Sequence, residues 1–167
     1  MLVALYLAAV VAANLSVVYF GPYASIINSF VFIGLDITIR DALHERWEGR
    51  NLWGKMALLI LSGSVLSWLL NRDAGRIALA SFTAFAASGA ADTVVYHLLR
   101  HRPKLWRVNG SNAVSAAVDS VVFTSVAFGS FMPLIMAGQF LAKVAGGYLW
   151  ALVLNRVYWR RAQAQER

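Results

Sequence analysis

No cysteine occurs in the 167 residues, so disulfides, thiolate metal sites and cysteine nucleophiles are excluded. Histidine is scarce too. His97 and His101 have the i, i+4 spacing that can chelate a metal, but they flank Arg100 beside Arg102, where solvated histidines are the ordinary outcome, and no metal site is expected. Gly-x-Ser-x-Gly, a Walker loop and His-Glu-x-x-His are all missing, which leaves hydrolysis and ATP use without support; neither an enzyme nor a cofactor is expected. Charge is in short supply as well, at 14% of residues against 59% hydrophobic. With a mean hydropathy of +0.60, the chain is too apolar to cover its surface as a water-soluble globule, and a lipid bilayer is its expected solvent.

What the sequence has in abundance is long apolar runs. A span needs about 20 such residues, and six stretches qualify: Leu2 to Phe20, Ala24 to Leu43, Leu52 to Leu70, Ile77 to Leu99, Asn109 to Phe128 and Phe131 to Tyr158. They are separated at Gly21-Pro22, "HERWEGRN", "NRDAGR", "RHRPKLWRVNG" and Gly129-Ser130, each rich in turn formers or charge. The expected fold is all-α, a polytopic bundle of six transmembrane helices forming one domain over residues 1–167. The start "MLVALY" has no basic segment and its apolar run continues through Val17 and Val18, so the first span is expected to be retained, not cleaved as a signal.

Lys and Arg in short loops stay cytoplasmic. Twelve of the fifteen fall after the second span (Arg40, Arg46, Arg50, Lys55), after the fourth (Arg100, Arg102, Lys104, Arg107) or in the tail (Arg156, Arg160, Arg161, Arg167). The opposite side holds only Arg72 and Arg76. Both termini are therefore expected in the cytoplasm, and the net charge of +7 reads as a topology signal; no nucleic-acid partner is expected.

An ionisable group at a span centre costs on the order of 3 kcal/mol, so each one calls for a reason. Asp36, Asp92, Asp119 and Lys143 are such groups. The acids sit in similar strings, "LDITI", "ADTVVY" and "VDSVVF", the last two a weak repeat. Helical spacing aligns Asn28, Phe32, Asp36 and Arg40 on the second span; Ser81, Phe85, Ser88 and Asp92 on the fourth; Asn112, Ser115 and Asp119 on the fifth; and Gln139 with Lys143 on the sixth. Lipid cannot solvate such stripes, so they face inward around a shared polar pocket. Packing between helices is the competing role for the Ser and Asn positions. Asp36 and Arg40 form a favourable i, i+4 pair, while Asp41, His44, Glu45 and Arg46 are expected at the solvated membrane edge. Gly129-Ser130 leaves almost no loop, which sets the fifth and sixth helices side by side; Asp119 then lies about 15 Å and Lys143 about 20 Å from the turn, close enough to pair.

The strings "LDITIR", "ADTVVYHLL", "NAVSAAVDSVVFTSVAFG" and "GQFLAK", in this order, resemble the queuosine precursor transporters, also called the vitamin-uptake-transporter-like family. The resemblance implies a bacterial inner-membrane protein that imports 7-cyano- or 7-aminomethyl-7-deazaguanine, with Asp36, Thr38, Arg40, Asp92, Asn112, Asp119, Gln139 and Lys143 at matching positions. The chemistry is compatible. A guanine-like edge carries a lactam N–H beside an amine, a donor pair that a carboxylate accepts with both oxygens, and an amide such as Gln139 or Asn112 can meet the carbonyl. Phe32, Phe85, Tyr96 or Phe123 can stack on the ring, though core packing explains such aromatics equally well. The expected partners are thus a small heterocyclic base and the bilayer, with homo-oligomerisation left open. The alternative is a substrate-capture subunit resembling those of energy-coupling-factor transporters, for which the small-residue ridge Ala4, Ala8, Ala12 can dock a partner helix or equally pack within the bundle; a non-transporting membrane factor is the third class.

Overall fold

A computed structural model describes residues 2–32 and 52–154. These residues are helical apart from their turns, and no strand occurs among them. The helices are α1 (Leu2–Phe20), α2 (residues 22–32 of it described), α3 (Leu52–Leu70), α4 (Gly75–Leu98), α5 (Lys104–Phe128) and α6 (Pro133–Leu154), with a 3-10 turn at Arg72–Ala74 before α4. The remainder of the second span, with Asp36, Thr38, Arg40 and the residues placed at the membrane edge, lies outside the described residues, as does the tail after Leu154.

The bundle buries small polar side chains beside its apolar core and exposes large apolar ones. Asn14, Ser25, Ser64, Ser67, Ser88, Ser111, Ser120, Thr124 and Gln139 are buried, while Leu58, Leu69, Leu79, Val94, Leu134 and Leu141 are exposed. That is the distribution expected where the surroundings are hydrocarbon and every polar group must be satisfied internally. Three of the described helices are long and apolar enough to cross a membrane, over Val3–Phe20, Arg72–Leu98 and Asn109–Phe128, and Ala57–Leu70 is a shorter apolar helical stretch.

Small side chains decide which helices lie closest. α4 and α5 form the most extensive pair. α4 buries Ala80, Ala84 and Ser88, α5 buries Ser111 and Ser120, and Ser115 on α5 donates to the Ser88 carbonyl across the seam at 3.1 Å. Between α2 and α6 the close approach is at Gly138, where a Cβ would stand 2.7 Å from Ile26. Tyr6, Leu59 and Ile60 form one apolar cluster, which Phe82 and Phe85 pack against.

Turn chemistry at one end of the bundle is repeated. Gly21 closes α1 with φ 74° and Gly129 closes α5 with φ 66°, each donating to the carbonyl four residues back, Val17 and Ser125 respectively, at 2.9 Å. Both are left-handed caps favouring glycine, and a proline soon follows in each case. Pro133 opens α6, where a missing N–H costs nothing. Arg76 reaches from α4 to donate to the Val126 carbonyl at 3.0 Å, so a cation meets the negative end of α5. The helix α5 starts five residues before the Asn109 edge read from hydropathy, because "KLWRV" contains good helix formers and a helix need not stop where its apolar stretch does.

Candidate functional site

A cavity of about 230 Å³ opens between α1, α2, α4, α5 and α6, lined by Ala13, Asn14, Val17, Ser25, Asn28, Ser29, Phe32, Ser81, Asp119, Phe123, Gln139 and Lys143. Pockets for drug-sized ligands run to roughly 300–1,000 Å³, so this one suits a single small ring system. Each wall follows from a helix face. Gln139 and Lys143 stack one turn apart on the inner side of α6, which also buries Ile135. Asp119 and Phe123 stack likewise on α5, and Ser25, Asn28, Ser29 and Phe32 follow the i, i+3, i+4, i+7 face of α2.

Lys143 is the cationic group of this lining. Its Nζ lies 2.5 Å from the Asp119 carboxylate and 3.0 Å from the Ser120 hydroxyl oxygen. Ser120 gives its own proton to the Ala116 carbonyl at 2.8 Å, so it serves Lys143 as an acceptor. The pairing offsets most of the cost of placing either charge in a low-dielectric interior. It is not sealed: the side chains of Lys143 and Asp119 keep 14% and 30% of their accessible surface, which leaves both groups reachable by a small polar ligand. The third Nζ hydrogen of Lys143 and the second Asp119 oxygen have no partner among the described residues.

Three amides line the same space, and the protein fixes how each points. Asn14 is engaged at both ends: its Nδ2 donates to Ser67 Oγ at 3.1 Å and its Oδ1 accepts from Ser81 Oγ at 2.7 Å. Gln139 donates from Nε2 to Ser25 Oγ at 2.8 Å and to Thr124 Oγ1 at 3.1 Å. Asn28 donates from Nδ2 to the Ala13 carbonyl at 3.0 Å and to Ser16 Oγ at 2.7 Å.

Among the positions singled out from sequence, the structure brings Asn28, Phe32, Ser81, Asp119, Phe123, Gln139 and Lys143 together around the cavity. Asp119 and Lys143 meet as the short α5–α6 turn predicts. Asn112, Asp92 and Phe85 lie elsewhere. Asn112 is exposed; it is two turns, about 10 Å, along α5 from Asp119, and so beyond the cavity although on the same stripe. Asp92 stands about 16 Å along α4 from Ser81, half-buried, with one carboxylate oxygen enclosed and without a partner among the described residues. Phe85 packs against the Tyr6 cluster. Asp36 and Arg40 lie outside the described residues. His97 and His101 are exposed, and His101 accepts from Arg100 Nε at 3.1 Å.

Asn14, Ser25 and Ser29 were not among the expected site residues. A lone amide in the largely apolar α1 makes no stripe, so periodicity passes over it; its cost in a bilayer was the available signal. Ser25 and Ser29 are four apart on the face that carries Phe32, so helical spacing from Phe32 was the available signal.

Residues 68–157 match the family model described as "Putative vitamin uptake transporter". No curated protein and no solved structure matches the chain. The matched segment covers more than half of the sequence and holds α4, α5 and α6 with Asp119, Gln139 and Lys143. Described residues that are helical, with an apolar exterior and a small polar cavity, suit a membrane transporter, and this protein belongs to the vitamin uptake transporter family.

Proposed function

We propose that the chain is a multi-pass inner-membrane importer of a queuosine precursor, 7-cyano- or 7-aminomethyl-7-deazaguanine. In this reading residues 1–167 form one domain of six spans with both termini cytoplasmic, and the base sits in the cavity near mid-membrane. The observation that carries it is the adjacency of a carboxylate and an ammonium, Asp119 and Lys143, on a cavity flanked by Phe32 and Phe123. A guanine-type edge presents a carbonyl acceptor, a lactam N–H and an amine in one row. The Asp119 oxygens accept from the two donors, the ammonium donates to the carbonyl, and an aromatic ring stacks on the base. Binding at the interface of helices from both ends of the chain suits alternating access, in which these helices move against one another.

Uptake of labelled precursor by cells lacking their own importer and their own precursor synthesis tests the proposal. Expression of this chain should restore uptake, and Asp119→Asn should abolish it; no uptake by the unaltered, membrane-inserted protein overturns the proposal. Reporter fusions after Arg50, Arg107 and Arg167 should read cytoplasmic and one after Asp73 external.

A second reading has one observation in its favour. Ala4, Ala8 and Ala12 are exposed along one side of α1, where a small-residue ridge can seat a partner helix. A capture subunit working through such a partner binds precursor when expressed alone but does not accumulate it.

A further inference from the structure

Asp92 and Asp119 stand in similar strings, "ADTVVY" and "VDSVVF", but the fold provides for them differently. Asp119 holds Lys143. Asp92 is half-buried, with one carboxylate oxygen enclosed and no partner for it among the described residues. It lies one turn from Ser88 on the same side of α4, and Asp119 lies one turn from Ser115 on α5. Ser115 donates to the Ser88 carbonyl, and because α4 and α5 run antiparallel the two acids flank that crossing on opposite sides, about 12 Å apart along the bundle. The stretch of α5 beside Asp92, from Gly110 against Leu99 to Ser115 against Ser88, carries Ser111 and Asn112 and no ionisable side chain. α4 itself adds Tyr96 and His97, both exposed. α3 brings Lys55, about 7 Å short of Asp92 along the bundle when counted from the Ser64–Ala78 contact, and α1 brings Tyr6, buried with Leu59 and Ile60. None of these groups donates to the enclosed oxygen.

We propose that Asp92 is a proton site outside the cavity, whose carboxyl binds a proton and releases it on the His97 side once per transport cycle, so that uptake draws on a proton gradient. This rests on the reading that the chain is an importer. An ionised carboxylate with an enclosed oxygen and no donor is costly in a low-dielectric interior, and a proton is the smallest partner that removes the charge. Asp119 is less suited to the task, since a proton there would strand the Lys143 ammonium; Asp92 has no such partner to strand. On release the Asp92 O–H bond breaks, its electron pair stays on the carboxylate, and the proton passes to water; rebinding reverses the step. The Ser115–Ser88 crossing links the two acids: a shift of α5 that follows binding at Asp119 moves this crossing, and with it the enclosure of Asp92.

The test uses the purified full-length chain in liposomes, with the membrane potential held at zero and labelled 7-cyano-7-deazaguanine as the probe, because its 7-substituent does not titrate. With the interior about one pH unit more alkaline, the wild type should accumulate the base about tenfold, since one proton moving down one pH unit carries a factor of about ten in the equilibrium ratio. Asp92→Asn should carry the base only to equal concentrations on the two sides, while still exchanging labelled for unlabelled base, which shows that it is folded and binds. Wild-type uptake that stops at equal concentrations overturns the proposal and leaves the importer reading intact, as does accumulation driven by a sodium gradient and not by pH. Accumulation by Asp92→Asn overturns it too. So does an Asp92→Asn variant that no longer exchanges, because the residue then serves folding or binding itself. No uptake by the wild type overturns the importer reading and the proton site with it.

Discussion

Asn14 and Gln139 are both buried amides in apolar helices, and both touch the same cavity, yet they are left in different states. Asn14 joins α1 to α3 and α4 with donor and acceptor both engaged. Gln139 joins α6 to α2 and α5 through its donor end alone. The fold engages Asn14 at its oxygen and its nitrogen, and Gln139 at its nitrogen alone. The two amides thus differ in which end the fold engages, and that matters because an unmet carbonyl in a low-dielectric interior is costly unless a ligand or water meets it.

The largest expected effect comes from breaking the charged pair on the open side of this comparison. Lys143→Met or Asp119→Asn strands one partner, and the stability loss should be on the order of 2 kcal/mol, less than for a sealed pair because both groups reach the cavity. Thermal denaturation in detergent measures it. The double variant should recover most of that stability and none of the uptake; recovery of uptake would reduce the pair to a structural clamp. Next, Asn14→Ala removes the acceptor of Ser81 and should cost about 1–3 kcal/mol, with the KM for uptake by the remaining folded protein close to unaltered. Gln139→Leu should behave in the opposite way, raising KM about tenfold for a stability cost near 1 kcal/mol. A KM that moves equally in both variants would erase the distinction between them.

Away from the cavity the effects should be smaller and purely structural. Gly129→Ala places a Cβ against the Arg76 guanidinium and holds a left-handed φ, for a loss of about 1 kcal/mol in stability without a change in KM. Arg72→Ala removes a cation stacked 4.2 Å over the Trp68 ring and should cost about 0.5 kcal/mol at that exposed position.

The ends of α1 and α3 were legible in hydropathy alone, because the lengths of those runs match what a bilayer demands. The Asp119–Lys143 pair was legible for a different reason: a turn of almost no length fixes the relative height of two helices, and rise per residue does the rest. Rotational periodicity was less informative about the cavity, since it orders residues around a helix but not along it. Asn112 shares the stripe of Asp119 and is exposed two turns away, and Phe85 lies four residues from Ser81 yet packs on the opposite core cluster. The roles of Asn14, Ser25 and Asn28 depend on which neighbour consumes which proton, and their cross-helix partners lie 12 to 114 residues distant in sequence.

Central to the proposed import is that the Asp119 side of the cavity holds the base. Titration of purified wild-type, Asn14→Ala and Asp119→Asn protein with labelled 7-aminomethyl-7-deazaguanine tests it most directly. Wild type and Asn14→Ala should bind alike, and Asp119→Asn should bind at least about tenfold more weakly, since an amide presents a donor where the lactam edge needs an acceptor. Undiminished binding by folded Asp119→Asn would contradict the account.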